Sequence, residues 1–202
     1  MSTDVSYYED FNEIEKKIWD LLTSAVNDRN SEFRTPVFIC GNDNDLDGRV
    51  VVLRKAIQQN NFIQYHSDIR SSKIEKIKKN HNCSVLFYGK QEKIQLRLKV
   101  ECTVHFSDEI TKEAWENTGQ ISRKCYLVTN GPGTKSKIPT SGLDNKFDNF
   151  DFTKKESESG YKNFCVIRCK IRSIEWLYLA ARGHRRAILD YVGKEKYFWL
   201  VP

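Results

Sequence analysis

The 202-residue sequence has no uninterrupted apolar run of the roughly 18 residues that a helical membrane span needs. Its first residues, "MSTDVSYYEDF", lack the basic and apolar regions of a signal peptide, so export is not expected and the expected location is the cytoplasm. None of the six cysteines forms a C-x-x-C pair, and several sit at apolar strand positions, which predicts free thiols rather than a disulfide or zinc framework. The sequence also lacks G-x-G-x-x-G, G-x-x-x-x-G-K-[ST] and H-E-x-x-H, which removes the usual support for Rossmann, P-loop and zincin readings. No two of the four histidines stand three or four residues apart, so no metal site is expected. Asp43, Asp45 and Asp47 resemble part of a calcium loop, but the bidentate Glu that should follow is missing and a plain turn is the better reading.

What is present suffices for one domain over residues 1–202. A hydrophobic content of 39% and an aromatic content of 12% can build a single core. The net charge of +6 attracts anions in general and does not separate nucleic acid from a phosphorylated small molecule. Phe11, Ile14, Ile18, Leu21, Leu22 and Ala25 predict an amphipathic helix over about 6–27, with Ser6 and Glu9 as a capping box. Short β-rich runs follow in "TPVFICG", "GRVVVLRKA" and "NFIQYHS", then a helix over about 72–80 and the strand "CSVLFYG". From Ile94 to Val104 apolar residues alternate strictly with polar ones, which predicts a long strand with one dry face. A helix over about 108–118 should end at Gly119 as a C′ glycine. The segment 129–160 reads as a long loop. Alternation returns at Cys165, Ile167, Cys169 and Ile171 and then changes parity to Ile174, Trp176 and Tyr178, which implies a bulge. Two further strands lie near "RRAILDYV" and "YFWLV". Strands at short spacing with few helices predict a mainly β fold, a closed antiparallel barrel with flanking helices outside it.

Two stretches carry candidate chemistry. In "DIRSSKIEK", Ser71 or Ser72 can cap the second helix, leaving backbone N–H groups and Lys73 to meet an anion; a solvated cap is the plainer alternative. In "RVVVLR", Arg49 and Arg54 bracket an apolar run. Read as one strand, they lie about 17 Å apart on opposite faces, so a single phosphate cannot meet both but a long anionic ligand could lie along them. That both merely flank a buried strand is the competing reading.

These blocks occur in the order, and at nearly the spacing, of a known pattern. "RVVVLR" (Arg49, Val50, Val51, Val52, Leu53, Arg54), "HS" (His66, Ser67), "SSK" (Ser71, Ser72, Lys73), Gln95 and "WLYLAARGHRR" (Trp176, Arg182, His184, Arg186) resemble the pyridoxamine 5′-phosphate oxidase-like, FMN-binding split barrels. The resemblance runs from about Gly48 to Pro202 and covers 129–160 poorly. It implies an antiparallel Greek-key six-stranded barrel, FMN as cofactor, and a homodimer with FMN at the subunit interface. Arg49 to Arg54, His66, Ser67, Ser71 to Lys73, Gln95, Trp176 and Arg186 would then contact FMN. Arg54 and Arg123 would bind a small phosphorylated substrate, and Arg182 and His184 would position it. The implied activity is that of an oxidase moving a hydride from a substrate carbon to flavin N5, with oxygen reoxidising the flavin.

Departures bear on the substrate. The family's Tyr-x3-Arg-x3-Ser phosphate grip falls on Gly119, Arg123 and Leu127, keeping only the Arg. The Arg of its Ser-Arg-Lys helix start is displaced to Arg70, and its Gln-Ser pair is not matched near Lys135 to Pro139. A reductase or flavin carrier with another substrate is therefore a second reading. A basic nucleic-acid-binding barrel using Arg97, Lys99, Arg168, Lys170 and Arg172 is a remote third, because interleaved exposed aromatics are lacking there. Neither a nucleic-acid nor a membrane partner is expected.

Overall fold

The computed structural model describes residues 8–42, 44–148 and 152–202. The first helix, α1, spans Phe11–Ala25. It starts later than the sequence pattern suggests because the Asp10 carboxylate accepts the N–H groups of Asn12 (2.8 Å) and Glu13 (3.0 Å) and so caps it. Ser6 and Asp43 lie outside the described residues. The stripe Ile14, Ile18, Trp19, Leu22 and Ala25 is buried against the sheet, as the 3.6-residue period requires.

Nine strands form one antiparallel sheet: β1 (Val37–Cys40), β2 (Asp47–Val50), β3 (Leu53–Ile57), β4 (Phe62–Asp68), β5 (Asn82–Gly89), β6 (Ile94–His105), β7 (Phe164–Tyr178), β8 (Arg185–Asp190) and β9 (Tyr197–Leu200). Along it the order is β2-β1-β5-β6-β7-β4-β3, with β8 pairing β7 and β9 pairing β8. β7 is long enough to serve two neighbours on one side, β4 with its first half and β8 with its second, while β6 runs along the other. The change of parity in β7 is a bulge: Lys99 faces Ser173 and Val100 faces Ile171, leaving Arg172 as the extra residue.

"DGRVVVLRKA" is not one strand. Val51 and Val52 stand between β2, which pairs with β1, and β3, which pairs with β4. β2 and β3 are the two ends of the strand order, so a two-residue link joins the opposite edges of the sheet. The sheet must curl to allow this, and β1, β5, β6, β7, β4 and β3 become the wall of a split barrel. Phe38, Leu53, Ile63, Tyr65, Val85, Phe87, Leu98 and Trp176 fill its interior.

Three helices cover the openings. α2 (Ser72–Lys79) buries Ile74 and Ile77, and α3 (Glu109–Glu116) packs on β7 through Trp115. Gly119 does not terminate α3. With φ −63° and ψ 150° it is extended and starts the one-turn helix α4 (Gln120–Arg123), while α3 closes at Asn117. The described part of 129–160 is mostly irregular but not detached: Trp115 Nε1 donates to the Glu158 carboxylate at 2.7 Å and Gln120 donates to the Phe152 carbonyl. All six thiols are free, five of them buried. Among the described residues no helix is long and apolar enough to cross a membrane.

Candidate functional site

Where β4 runs out and α2 begins, the chain gathers positive charge. Lys73, in the first turn of α2, donates to the Ser67 hydroxyl at 2.6 Å. Burial, and next the nearby Arg49 guanidinium, push the Lys73 ammonium below its ordinary pKa. Arg49 reaches the same place from β2, held by an ion pair with Asp47, and its buried Nε has no hydrogen-bond partner among the described residues. Ser71 is the N-cap of α2 but its hydroxyl makes no cap bond; the Ile74 N–H goes to the Ser71 carbonyl at 2.9 Å, and the Ser72 and Lys73 N–H groups keep their donor capacity. Asp68 does not neutralise the cluster: its carboxylate takes the Arg70 backbone N–H, Nε and Nη2 at 2.9, 2.9 and 2.7 Å. Arg70 itself is turned to Asp68 and to the carbonyls of Val128 and Thr129. Two neighbouring cations, an unsatisfied guanidinium N–H and a helix N-terminus together favour a dianion.

A separate cavity of about 240 Å³ is lined from the end of α1 and from β3, β4, α3 and α4. Arg54 forms part of its wall with no hydrogen bond or ion pair to any described residue, and burial lowers its pKa. Neighbouring Lys55 bonds the Glu113 carboxylate at 2.7 Å, which holds that carboxyl below its usual range. Burial, then the charges of Arg54 and Lys55, push His66 down to about 3, so its ring is neutral, edge-on to Phe164 at 4.9 Å. His66 and Ser67, consecutive on β4, point to opposite faces of the strand, Ser67 toward Lys73 and His66 toward Arg54.

The rail from Arg49 to Arg54 therefore bends. Val50 is exposed, Val51 and Val52 lie in the link, and the Leu53 side chain is fully buried, which leaves only its backbone for a ligand. The C-terminal residues lie elsewhere. Gln95 on β6 is paired across to Leu177, Arg186 on β8 donates to Glu175 at 2.9 Å, and Arg182 and His184 are exposed in the turn before β8. In the strand order four strands, β1, β5, β6 and β7, stand between β2, which carries Arg49, and β8, which carries Arg186.

Two of the residues expected at the site are packed among other side chains. Trp176 has no exposed surface and stacks on Tyr178 inside the barrel, so it packs the core and offers a ligand no face. Arg123 is only 1% exposed and fully committed: to Thr118 O at 2.9 Å, to Trp115 O at 2.7 Å, to the Glu158 carboxylate, and flat over the Trp115 ring at 4.5 Å. It cannot grip a substrate phosphate without leaving four partners. The sequence reading missed Asp47, Glu113 and Glu175. Asp47, two strand residues from Arg49 and on its face, was open to inference; the other two meet their cations only through tertiary pairing.

Comparison with known proteins now bears on this geometry. Residues 17–106 match the family model described as pyridoxamine 5′-phosphate oxidase, FMN-binding domain. The fold is that of the pyridoxamine 5′-phosphate oxidase-like, FMN-binding split barrels. A pyridoxamine 5′-phosphate oxidase-related, FMN binding protein from Nostoc punctiforme PCC 73102 superimposes with a TM-score of 0.73 at 17% identity, each chain covered in full. PhzG from Burkholderia lata 383, solved in complex with tetrahydrophenazine-1-carboxylic acid, gives 0.69 at 14% identity, again with both chains fully covered. No curated protein matches the chain. The matched stretch contains Arg49, Ser67, Ser71, Ser72, Lys73 and Gln95, and FMN is the cofactor of this split-barrel domain. The orphaned Arg49 Nε, the depressed Lys73 and the uncapped start of α2 are what a flavin phosphate would satisfy.

Proposed function

We propose that the chain is an FMN-dependent oxidoreductase whose cofactor phosphate is held by Arg49, Lys73, Ser71, Ser72 and the N-terminus of α2. The observation that carries this reading is the proximity of Lys73 to Arg49 in a partly buried place where Lys73 bonds the Ser67 hydroxyl and forms no ion pair with a described carboxylate. Bound FMN would accept a hydride at N5 from a substrate carbon and pass the electrons on to oxygen. The chain's own share is positional. The cradle fixes the phosphate, the link at Val51 and Val52 runs beside the flavin, and Arg54 with neutral His66 faces the substrate. Arg182, His184 and Arg186, in the turn before β8 and on it, would complete the site together with Gln95 of β6, in a homodimer with FMN at the subunit interface.

Purified protein reconstituted with FMN should show visible flavin absorbance and retain it through dialysis; colourless protein with no affinity for FMN would overturn the reading. Anaerobic addition of pyridoxamine 5′-phosphate, the family's first substrate to try, should be compared with other donors. The commitment of Arg123 to Glu158, Trp115 and Thr118 favours the second reading, an oxidoreductase or flavin carrier with a different substrate. Peroxide release with pyridoxamine 5′-phosphate would restore the first.

A further inference from the structure

We infer that Asn80 and the Lys76–Asp45 pair are positioning residues for the phosphate cradle: they clamp the turn of the β1–β2 hairpin to α2 and so set how far Arg49 stands from Lys73. The inference rests on the proposed flavin site and adds to it residues that do not touch the ligand. Arg49 comes from β2 and Lys73 from α2. Both side chains are donors only, so neither can hold the other, and their like charges push the two elements apart. Other contacts must fix the distance between them.

Those contacts lie on the face of α2 that carries Lys73. Lys73, Lys76 and Asn80 follow at i, i+3 and i+7, which places them in one row along the helix. Lys73 reaches the cradle, and the other two reach the hairpin turn. Lys76 Nζ pairs with the Asp45 carboxylate at 2.5 Å and donates to the Asp45 carbonyl at 3.1 Å. Asn80 closes α2, donates from Nδ2 to the Gly41 carbonyl at 2.9 Å and accepts the Asn82 N–H at 3.0 Å, which ties turn, helix and β5 together. Among the described residues these are the hydrogen bonds and ion pairs that join α2 to the hairpin. The turn itself is tight: Gly41 has φ +132°, and a Cβ there would stand 2.0 Å from the Asp45 carbonyl oxygen. Glycine therefore lets the chain fold closely enough for α2 to hold both carbonyls.

From the turn the constraint passes along β2 to Asp47, whose carboxylate holds Arg49. The Cys40 thiol at the end of β1 shows how the charges gather. Burial, and next Cys83, raise its pKa, while Arg49, Lys76 and Lys73 all pull it the other way. Lys76 is engaged by Asp45, which leaves Arg49 and Lys73 for the ligand. Beside these bonds a cleft of about 350 Å³ parts the turn from α2, so close packing does not do the same work there. Without the clamp the turn can swing away from the helix. A bound dianion must then draw Arg49 and Lys73 into place itself, which weakens it.

FMN and riboflavin share the ring and the ribityl chain and differ in the phosphate, so the ratio of their affinities reads the cradle. In fluorescence titrations of the flavin-free protein, Asn80→Ala, which changes no charge, should lower the FMN-to-riboflavin ratio about fivefold and leave riboflavin unchanged. Asp45→Asn, at a side chain 70% exposed, should lower the ratio about threefold. Removing a negative charge would by itself tighten a dianion, so the direction of this second change separates positioning from plain electrostatics. A ratio unmoved in both variants, an equal loss of both flavins, tighter FMN in Asp45→Asn, or an unmodified protein that binds riboflavin as tightly as FMN would each overturn the inference. If Asn80→Ala does not fold, Asp45→Asn decides alone. If the unmodified protein binds no FMN, the flavin reading fails by itself and calorimetric titration with inorganic phosphate decides the clamp. Phosphate should then bind and be weakened in both variants; no binding, or binding that neither variant changes, would overturn it.

Discussion

Lys73 and Arg49 repel one another, and without a bound anion that repulsion is a cost to the fold. Lys73→Met should therefore raise the thermal midpoint of the flavin-free protein while weakening FMN by roughly ten- to a hundredfold, the worth of one charge-assisted hydrogen bond to phosphate. Melting curves with and without FMN, together with equilibrium dialysis, measure both signs. A parallel loss of stability in both states would mean that Lys73 is structural. His66 makes an independent prediction. Its folded pKa of about 3 lies below the unfolded value of 6.5, so the unfolded chain binds the proton more readily between them. Its contribution to stability is complete above the unfolded value and is lost as pH falls through that window. Denaturant midpoints measured from neutral to acid pH should decline, and His66→Gln should flatten that decline. An unchanged slope would show that the ring titrates normally.

At the scale of elements, legibility followed the range of the interactions. The stripe of α1, the alternation of β6 and the parity switch of β7 are set by local burial, and the structure reproduces all three. Breaks in elements depend on partners. Val50 to Leu53 read as one strand because nothing local says that β2 and β3 pair at opposite ends of the sheet. In the site, the cations were legible as residue types. Their engagement was not, since Glu158 meets Arg123 from a distant segment and Glu175 meets Arg186 across strands. Two substitutions test these elements. Asp10→Ala removes the acceptor of two α1 N–H groups and should cost about 1 kcal/mol in denaturant unfolding. Glu158→Ala leaves the buried Arg123 with its two carbonyls but no carboxylate. It should cost about 1.5 kcal/mol, the low end for a charged hydrogen bond because Glu158 is half exposed.

For the whole molecule, the separation of the two residue sets makes a prediction that neither set makes alone. Arg49 lies on β2 at one end of the strand order and Lys73 in α2, whereas Arg186 lies on β8, which branches from β7, with Arg182 and His184 in the turn before it. On the proposed homodimer, a flavin contacting both sets lies between two chains. In a two-fold dimer each site would then take its cradle from one protomer and its C-terminal turn from the other. Arg49→Ala and Arg186→Ala should each weaken FMN when every subunit carries the change. Mixing the two variants through unfolding and refolding gives heterodimers in which one site carries both changes and the other carries neither. With random pairing half of the dimers are mixed, so about a quarter of all sites should regain full FMN affinity. Titration with FMN would resolve that quarter as a tight phase absent from either variant alone. A mixture that titrates as the sum of its parts would place the whole site within one chain, with Arg186 acting only through its pair with Glu175.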